Sequence, residues 1–121
     1  MPNLHPPFFL RLYFSDAEMM GPGKAALLEG IARTGSISAA GRELGMSYKR
    51  AWMLVEAMNA MFAEPLVTRV RGGPGGGGAS LTPAGDRVLA LFREIETASI
   101  AANAGRIAAL KAMLTDMSGG K

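Results

Sequence analysis

A mainly α-helical domain with a small β component is predicted by three observations. Apolar residues recur at helical spacing in successive segments: Leu27, Leu28 and Ile31; Ile37, Ala40 and Leu44; then Ala51, Leu54, Val55, Met58 and Phe62. Cap residues stand where segments start, with Ser36 and Ser47 before the second and third and Thr82 before a fourth. Short alternating stretches, Leu66 to Val70 and Ala79 to Leu81, flank a glycine-rich run, the pattern of two antiparallel strands joined by a tip.

Taken in order, Phe8 to Phe14 is bulky, aromatic and partly alternating, and predicts a first strand. Gly21, Pro22 and Gly23 break the chain before the first helix, which Thr34 and Gly35 stop. Ser36 caps a short second helix whose apolar face is Ile37, Ala40 and Leu44. Gly45 supplies the left-handed backbone of a tight turn, and Ser47 caps the third helix, so a very short connection fixes a large crossing angle. The third helix buries its apolar stripe and shows Lys49, Met53, Glu56 and Ala60 outward, with Tyr48 and Trp52 on one flank and Arg50 on the other. Pro65 ends it and the hairpin follows. Thr82 with Pro83 starts a last helix. On it Val88, Leu91, Phe92, Ile95, Ala98 and Ala102 are the expected dimerisation residues of a long arm ending near Leu114. This order is that of a winged helix-turn-helix with a long C-terminal dimerisation helix. One domain over residues 1–121 is expected, with a core of about 8–96, an arm of about 83–115 and a frayed tail at 116–121.

Composition narrows the chemistry. With 121 residues, 49% of them hydrophobic, the chain suffices for one core. It has no Cys, which removes thiolate catalysis and Cys-based zinc sites, and its single His, His5, sits among prolines near the N-terminus. Asp16 with Glu18 and Glu94 with Glu96 are local pairs that read as solvated charge, and the methionines at helical spacing read as packing rather than soft-metal ligands. The glycine run ends in Ala79 and Ser80 where a nucleotide-binding loop requires Gly-Lys followed by Ser or Thr. No catalytic residue, metal site or cofactor is expected in this chain. Charges interrupt every apolar stretch before a membrane span accumulates, and the N-terminus lacks the basic start and apolar run of a secretory signal, so a cytoplasmic location without membrane contact is expected.

Thirteen Lys and Arg against ten Asp and Glu give a formal charge of +3, so the position of the charges matters more than their sum. Lys49 and Arg50 occupy the first turn of the third helix with no carboxylate beside them, against the helix dipole, at a cost of about 0.3–1 kcal/mol each. A bound phosphate reverses that sign. In a helix-turn-helix this turn lies nearest the bases of the major groove, which makes Ser47, Tyr48, Lys49 and Arg50 candidate DNA contacts. Arg50 is the expected base reader, because a guanidinium pairs bidentately with guanine. Lys49 serves equally as a point charge on phosphate. Trp52 either leans toward DNA or seals the junction with the hairpin, and packing is the favoured reading. Six of the seven residues from Gly72 to Gly78 are glycine, flanked by Arg69 and Arg71. Such backbone either approaches a sugar-phosphate wall closely or is a flexible tip.

The runs Gly35-Ser36-Ile37-Ser38, Gly45-Met46-Ser47-Tyr48-Lys49-Arg50-Ala51-Trp52 and Glu56-Ala57-Met58-Asn59 resemble the DNA-binding domain of molybdate-dependent transcriptional regulators of the ModE family. So do Leu66-Val67-Thr68-Arg69, the glycine wing from Gly72 to Ala79, and Leu81-Thr82-Pro83-Ala84-Gly85; LysR-type regulators share a weaker version of the pattern. The resemblance runs from about Phe8 to Glu96 and implies a transcriptional regulator that binds palindromic double-stranded DNA as a homodimer. It implies DNA contacts from Ser36, Ser47, Tyr48, Lys49 and Arg50, with Arg69, Arg71, Gly72 and Gly73 in the wing region. Two departures qualify it: position 50 varies within the family, and Pro74 stands where a basic wing residue is expected. ModE regulators usually continue into a molybdate-binding domain, whereas this sequence stops at residue 121, so three expectations stand: constitutive action, pairing with a separate effector-sensing protein, or competition with a full-length relative as a short-form dimer. The competing expectation is a winged-helix module that docks protein partners through its long last helix.

Overall fold

The computed structural model describes residues 9–71 and 77–115. Expectations placed on His5 and Phe8, on Gly72, Gly73 and Pro74, and on residues 116–121 lie outside these residues. The described elements are, in order, β1 (Leu12–Tyr13), β2 (Met19–Met20), α1 (Pro22–Thr34), α2 (Ile37–Glu43), α3 (Tyr48–Met61), β3 (Val67–Arg71), β4 (Gly77–Leu81), α4 (Pro83–Ala102) and α5 (Ala104–Ala112).

The N-terminal segment departs from the expected long strand. Only Leu12–Tyr13 is extended, and it pairs antiparallel with β2, Leu12 opposite Met20 and Tyr13 opposite Met19. The turn between them forms because the Glu18 carbonyl accepts from the Phe14 amide at 2.8 Å and the Ser15 hydroxyl accepts from the Glu18 amide at 3.2 Å. The Gly21-Pro22-Gly23 run is likewise not a break before the helix: α1 starts on Pro22 itself, whose fixed φ suits the first helical position.

The caps behave as local chemistry dictates. Gly35 takes a left-handed φ of 71° and its amide donates to the Ile31 carbonyl, closing α1. Ser36 accepts from the Ala39 amide at 3.0 Å, Ser47 from the Arg50 amide at 3.0 Å and Thr82 from the Gly85 amide at 3.0 Å. Gly45, at φ 75°, makes the turn between α2 and α3. Leu44 is not part of the buried face of α2: the helix ends at Glu43, and Leu44 turns outward at 41% exposure. Pro65 is not the stop of α3 either, since Phe62 already adopts extended backbone after Met61.

Helices α1, α2 and α3 approach through small residues. A Cβ built on Gly30 would lie 2.8 Å from the Ala40 methyl, and one on Gly41 the same distance from the Ala51 methyl. Around these contacts Leu27, Leu28, Ile31, Val55, Met58 and Leu66 are fully buried, with Met20 of β2 and Phe92 of α4 closing the core. The hairpin pairs Val67 with Leu81 through Arg71 with Gly77. Its second strand is tied to the α1–α2 junction by the Ala79 amide, which donates to the Gly35 carbonyl at 2.9 Å. Arg93 of α4 reaches back to α1, its fork donating to both Glu29 oxygens at 2.7 and 2.8 Å and to Glu96 at 2.7 Å. These hydrogen bonds hold its guanidinium pKa well above the ordinary value.

The arm is not one continuous helix. Asn103 has a ψ of 9°, its amide is shared between the Ser99 and Ile100 carbonyls at 3.2 Å, and its side chain donates to the Ser99 carbonyl at 2.9 Å. A side-chain amide that competes for backbone carbonyls in this way interrupts the helical ladder, and α5 restarts beyond it. Among the described residues no helix is long and apolar enough to cross a membrane.

Candidate nucleic-acid interface

The exposed face of α3 begins at its capped N-terminus. Ser47 is spent on the cap, and no acidic residue occupies the first turn. Tyr48 is 51% exposed and Met53 53%, and Lys49, Arg50 and Glu56 are exposed with them. Ala51, Val55 and Met58 point the other way into the core, so helical geometry alone delivers the basic turn to solvent.

A further cation stands near this turn. Lys24 of α1 donates to the Met19 carbonyl at 2.7 Å, and its pKa is lowered, first by partial burial and second by the positive charge of Arg50. Lys24 thus adds to the positive field at this end of α3. Sequence reasoning left Lys24 unassigned, because nothing in the spacing of positions 24 and 50 shows that the fold brings them together.

Arg69 of β3 reaches α3. Its Nη2 donates to the Tyr48 hydroxyl at 3.2 Å, and its guanidinium carbon stands 4.3 Å from the centre of the Trp52 ring. Trp52 is half-buried and packs against the core, so it seals the junction between helix and hairpin, as the packing reading anticipated. Arg71 lies on the β3 backbone, paired with Gly77. Ser36 is half-buried at the start of α2; its oxygen takes the cap, its amide donates to the Thr34 hydroxyl at 3.2 Å and its carbonyl accepts from that hydroxyl at 3.1 Å. Its hydroxyl keeps its proton and one lone pair for a ligand.

The structure thus gathers Tyr48, Lys49, Arg50 and Arg69 around one end of α3. The expected dimerisation set is divided. Leu91 and Ile95 are 38% and 39% exposed, and Ala98 and Ala102 are exposed beyond them. Val88 is half-buried against the core, and Phe92, at 2% exposure, belongs to the core itself and offers no surface to a partner. It lies one position past Leu91, far enough round the helix to turn inward. Asn59 is the residue whose role the sequence did not reveal: its side chain accepts from the Leu66 and Val67 amides at 2.8 and 3.1 Å and donates to the Val67 carbonyl at 3.1 Å. It fixes where β3 leaves α3, and hence where Arg69 stands.

Known proteins resemble this chain in sequence and fold. The chain is 57% identical over 77 residues to the molybdenum-pterin-binding protein MopB of Rhodobacter capsulatus, covering 64% of this chain and 28% of MopB. It is 45% identical over 71 residues to the DNA-binding transcriptional dual regulator ModE of Escherichia coli K12, covering 59% of this chain and 27% of ModE. The chain thus spans less than a third of the length of these relatives, and the resemblance read from the motifs around α3 and the wing is ModE-like at that level of identity. Among solved structures, "Crystal structure of CbnR_DBD-DNA complex" superposes with a TM-score of 0.56 at 26% identity, over 72% of this chain and 95% of that one. The bacterial regulatory helix-turn-helix family of the lysR type matches residues 24–86, the segment from Lys24 through α1, α2, α3 and the hairpin to the first turn of α4. The chain belongs to the lysR family of bacterial regulatory helix-turn-helix proteins.

Proposed function

We propose that the chain is the DNA-binding part of a ModE-like transcriptional regulator, acting on double-stranded DNA as a sequence-specific homodimer. The observation that carries this reading is the capped, acid-free first turn of α3, which exposes Tyr48, Lys49 and Arg50 beside Arg69. Four polar or cationic groups at one end of α3 suit a phosphate-lined groove, and the similarity to a DNA-binding domain solved with DNA supports DNA as the ligand. Phosphate contacts from Lys49 and Arg69 orient the domain, and Arg50, with the thioether of Met53 beside it for apolar contact, reads base edges. A second copy joined through Leu91, Ile95, Ala98 and Ala102 places two α3 helices on one face of the duplex, about 34–36 Å apart or a multiple of that.

This role needs no catalysis and no cofactor in the chain, and it places the protein in the cytoplasm with its DNA. Selection from a randomised duplex pool tests the reading directly. The expected result is a palindrome preferred over scrambled duplex by about a thousandfold. Arg50→Ala should then relax preference at one base position at a cost of about 1–3 kcal/mol, leaving the other positions as they were. Weak binding without sequence preference would reduce the role to backbone attraction, and no binding would favour docking of protein partners on the last helices.

A further inference from the structure

We propose that Tyr48 and Trp52 form an aromatic seat that fixes Arg69 against the recognition helix, and that Arg69 and the Tyr48 hydroxyl together grip one phosphate of bound DNA, with Trp52 as the positioning residue. The proposal rests on the DNA-binding reading and adds to it a defined phosphate site and the device that builds it.

The argument begins with the spacing. Tyr48 and Trp52 are four apart on α3, so their rings lie one above the other along the same flank of the helix. Arg69 comes from β3, and its guanidinium lies over the Trp52 ring at 4.3 Å while one N–H meets the Tyr48 oxygen at 3.2 Å. Among the described residues Arg33 and Arg93 each have a carboxylate partner, and Arg69 has none. This difference matters chemically. A carboxylate would neutralise the cation and compete with a phosphate for its donors, whereas an aromatic face holds the group in place and leaves its full charge available.

The hydrogen bond sets a direction as well. Because the Tyr48 oxygen accepts from Arg69, its own proton is free to point outward, next to the unused N–H groups of the guanidinium. A neutral donor and a charged donor then converge on one spot at the rim of the α3 face, a pairing suited to a phosphodiester oxygen. These two contacts already hold the long arginine side chain, so binding has less of its freedom left to restrict. The seat also joins wing to helix: a phosphate held by Arg69 sets the depth and register of α3 in the groove.

Trp52 is the single tryptophan of the chain, which supplies a readout independent of DNA. In the free protein, Arg69→Ala should change the intensity or position of its emission, while Arg50→Ala should leave both unaltered. Unaltered emission on removing Arg69 would overturn the seat. Binding is then measured by fluorescence anisotropy on the selected duplex and on scrambled duplex over a range of salt. Arg69→Ala should weaken both duplexes about three- to tenfold and lower the salt slope by about one unit. Tyr48→Phe should weaken them about threefold with no change of slope, because the lost donor is neutral. Trp52→Leu should reproduce the Arg69 loss, Trp52→Phe should restore most of it, and the pair Trp52→Leu with Arg69→Ala should bind no worse than Arg69→Ala alone. Losses that multiply in the double variant would show that Trp52 does not act through Arg69 and would overturn the proposal while leaving the DNA reading intact. Failure of the unsubstituted chain to bind any duplex would overturn both, whatever the emission shows.

Discussion

Replacing Gly85 by alanine should lower the thermal midpoint of the chain by about 10–15 °C, the shift that corresponds to roughly 3 kcal/mol in a domain of this size. Position 85 lies in the first turn of α4, where alanine is ordinarily better than glycine by about 1 kcal/mol. Sterics override that preference. A Cβ at this position would overlap the Leu66 carbonyl oxygen and approach the carbonyl carbon to 3.0 Å. The carbonyl has little room to withdraw, because it also accepts the Thr82 amide at 2.9 Å, and Thr82 in turn donates its hydroxyl to the Pro65 carbonyl at 2.7 Å. Relief would require α4 to lift, drawing Phe92 out of the core. Circular dichroism melting measures the effect. A useful control is Gly23→Ala, where the added Cβ meets nothing within 4 Å and the midpoint should hold or rise slightly. Equal midpoints for the two variants would mean that Leu66 and α4 part without cost.

Asn59→Ala should have an effect of similar size through a different mechanism. Truncation strands the Leu66 and Val67 amides and the Val67 carbonyl, and both residues are buried. Each unpaired backbone group costs about 1–3 kcal/mol when water cannot reach it, and partial relaxation makes a total of about 3 kcal/mol reasonable. Asn59→Asp keeps the acceptor for both amides and sets a carboxylate oxygen against the Val67 carbonyl, so it should also destabilise, though less. Hydrogen exchange distinguishes this from a general loss of stability: protection at Leu66 and Val67 should collapse in Asn59→Ala before protection in α1 does. Uniform loss across the chain would assign Asn59 no special hold on the hairpin.

What the sequence made legible is what depends on near neighbours. Ser36, Ser47 and Thr82 cap their helices because a cap needs only the residues of one turn, and Gly45 turns the chain because φ is a property of one position. The buried stripe of α3 and the exposure of Lys49, Arg50 and Met53 follow from helical periodicity alone. The candidate interface was therefore readable at its α3 edge. What was not readable depends on pairs distant in sequence. β2 exists only as the partner of β1, and neither is long enough to signal itself. Phe92 looked outward because it neighbours Leu91 on an apolar helix, and only packing against α1 decides otherwise. Asn103 is an ordinary residue for a helix surface until its side chain takes the Ser99 carbonyl. The reach of Arg69 to Tyr48 and Trp52 depends on the exit angle that Asn59 imposes on β3, which no local pattern encodes.

The contacts of Gly30 with Ala40 and of Gly41 with Ala51 bear on how such a domain changes over time. They set the spacing of α1, α2 and α3 by backbone proximity, with no large side chain between them, so the orientation of α3 does not depend on the identities of its outward residues. Lys49, Arg50 and Met53 can then be exchanged without disturbing the scaffold that presents them. If α3 reads DNA as proposed, folding and sequence preference are separable in this chain: substitutions on the exposed face should change the preferred site while staying nearly neutral for stability, with the small residues beneath held constant.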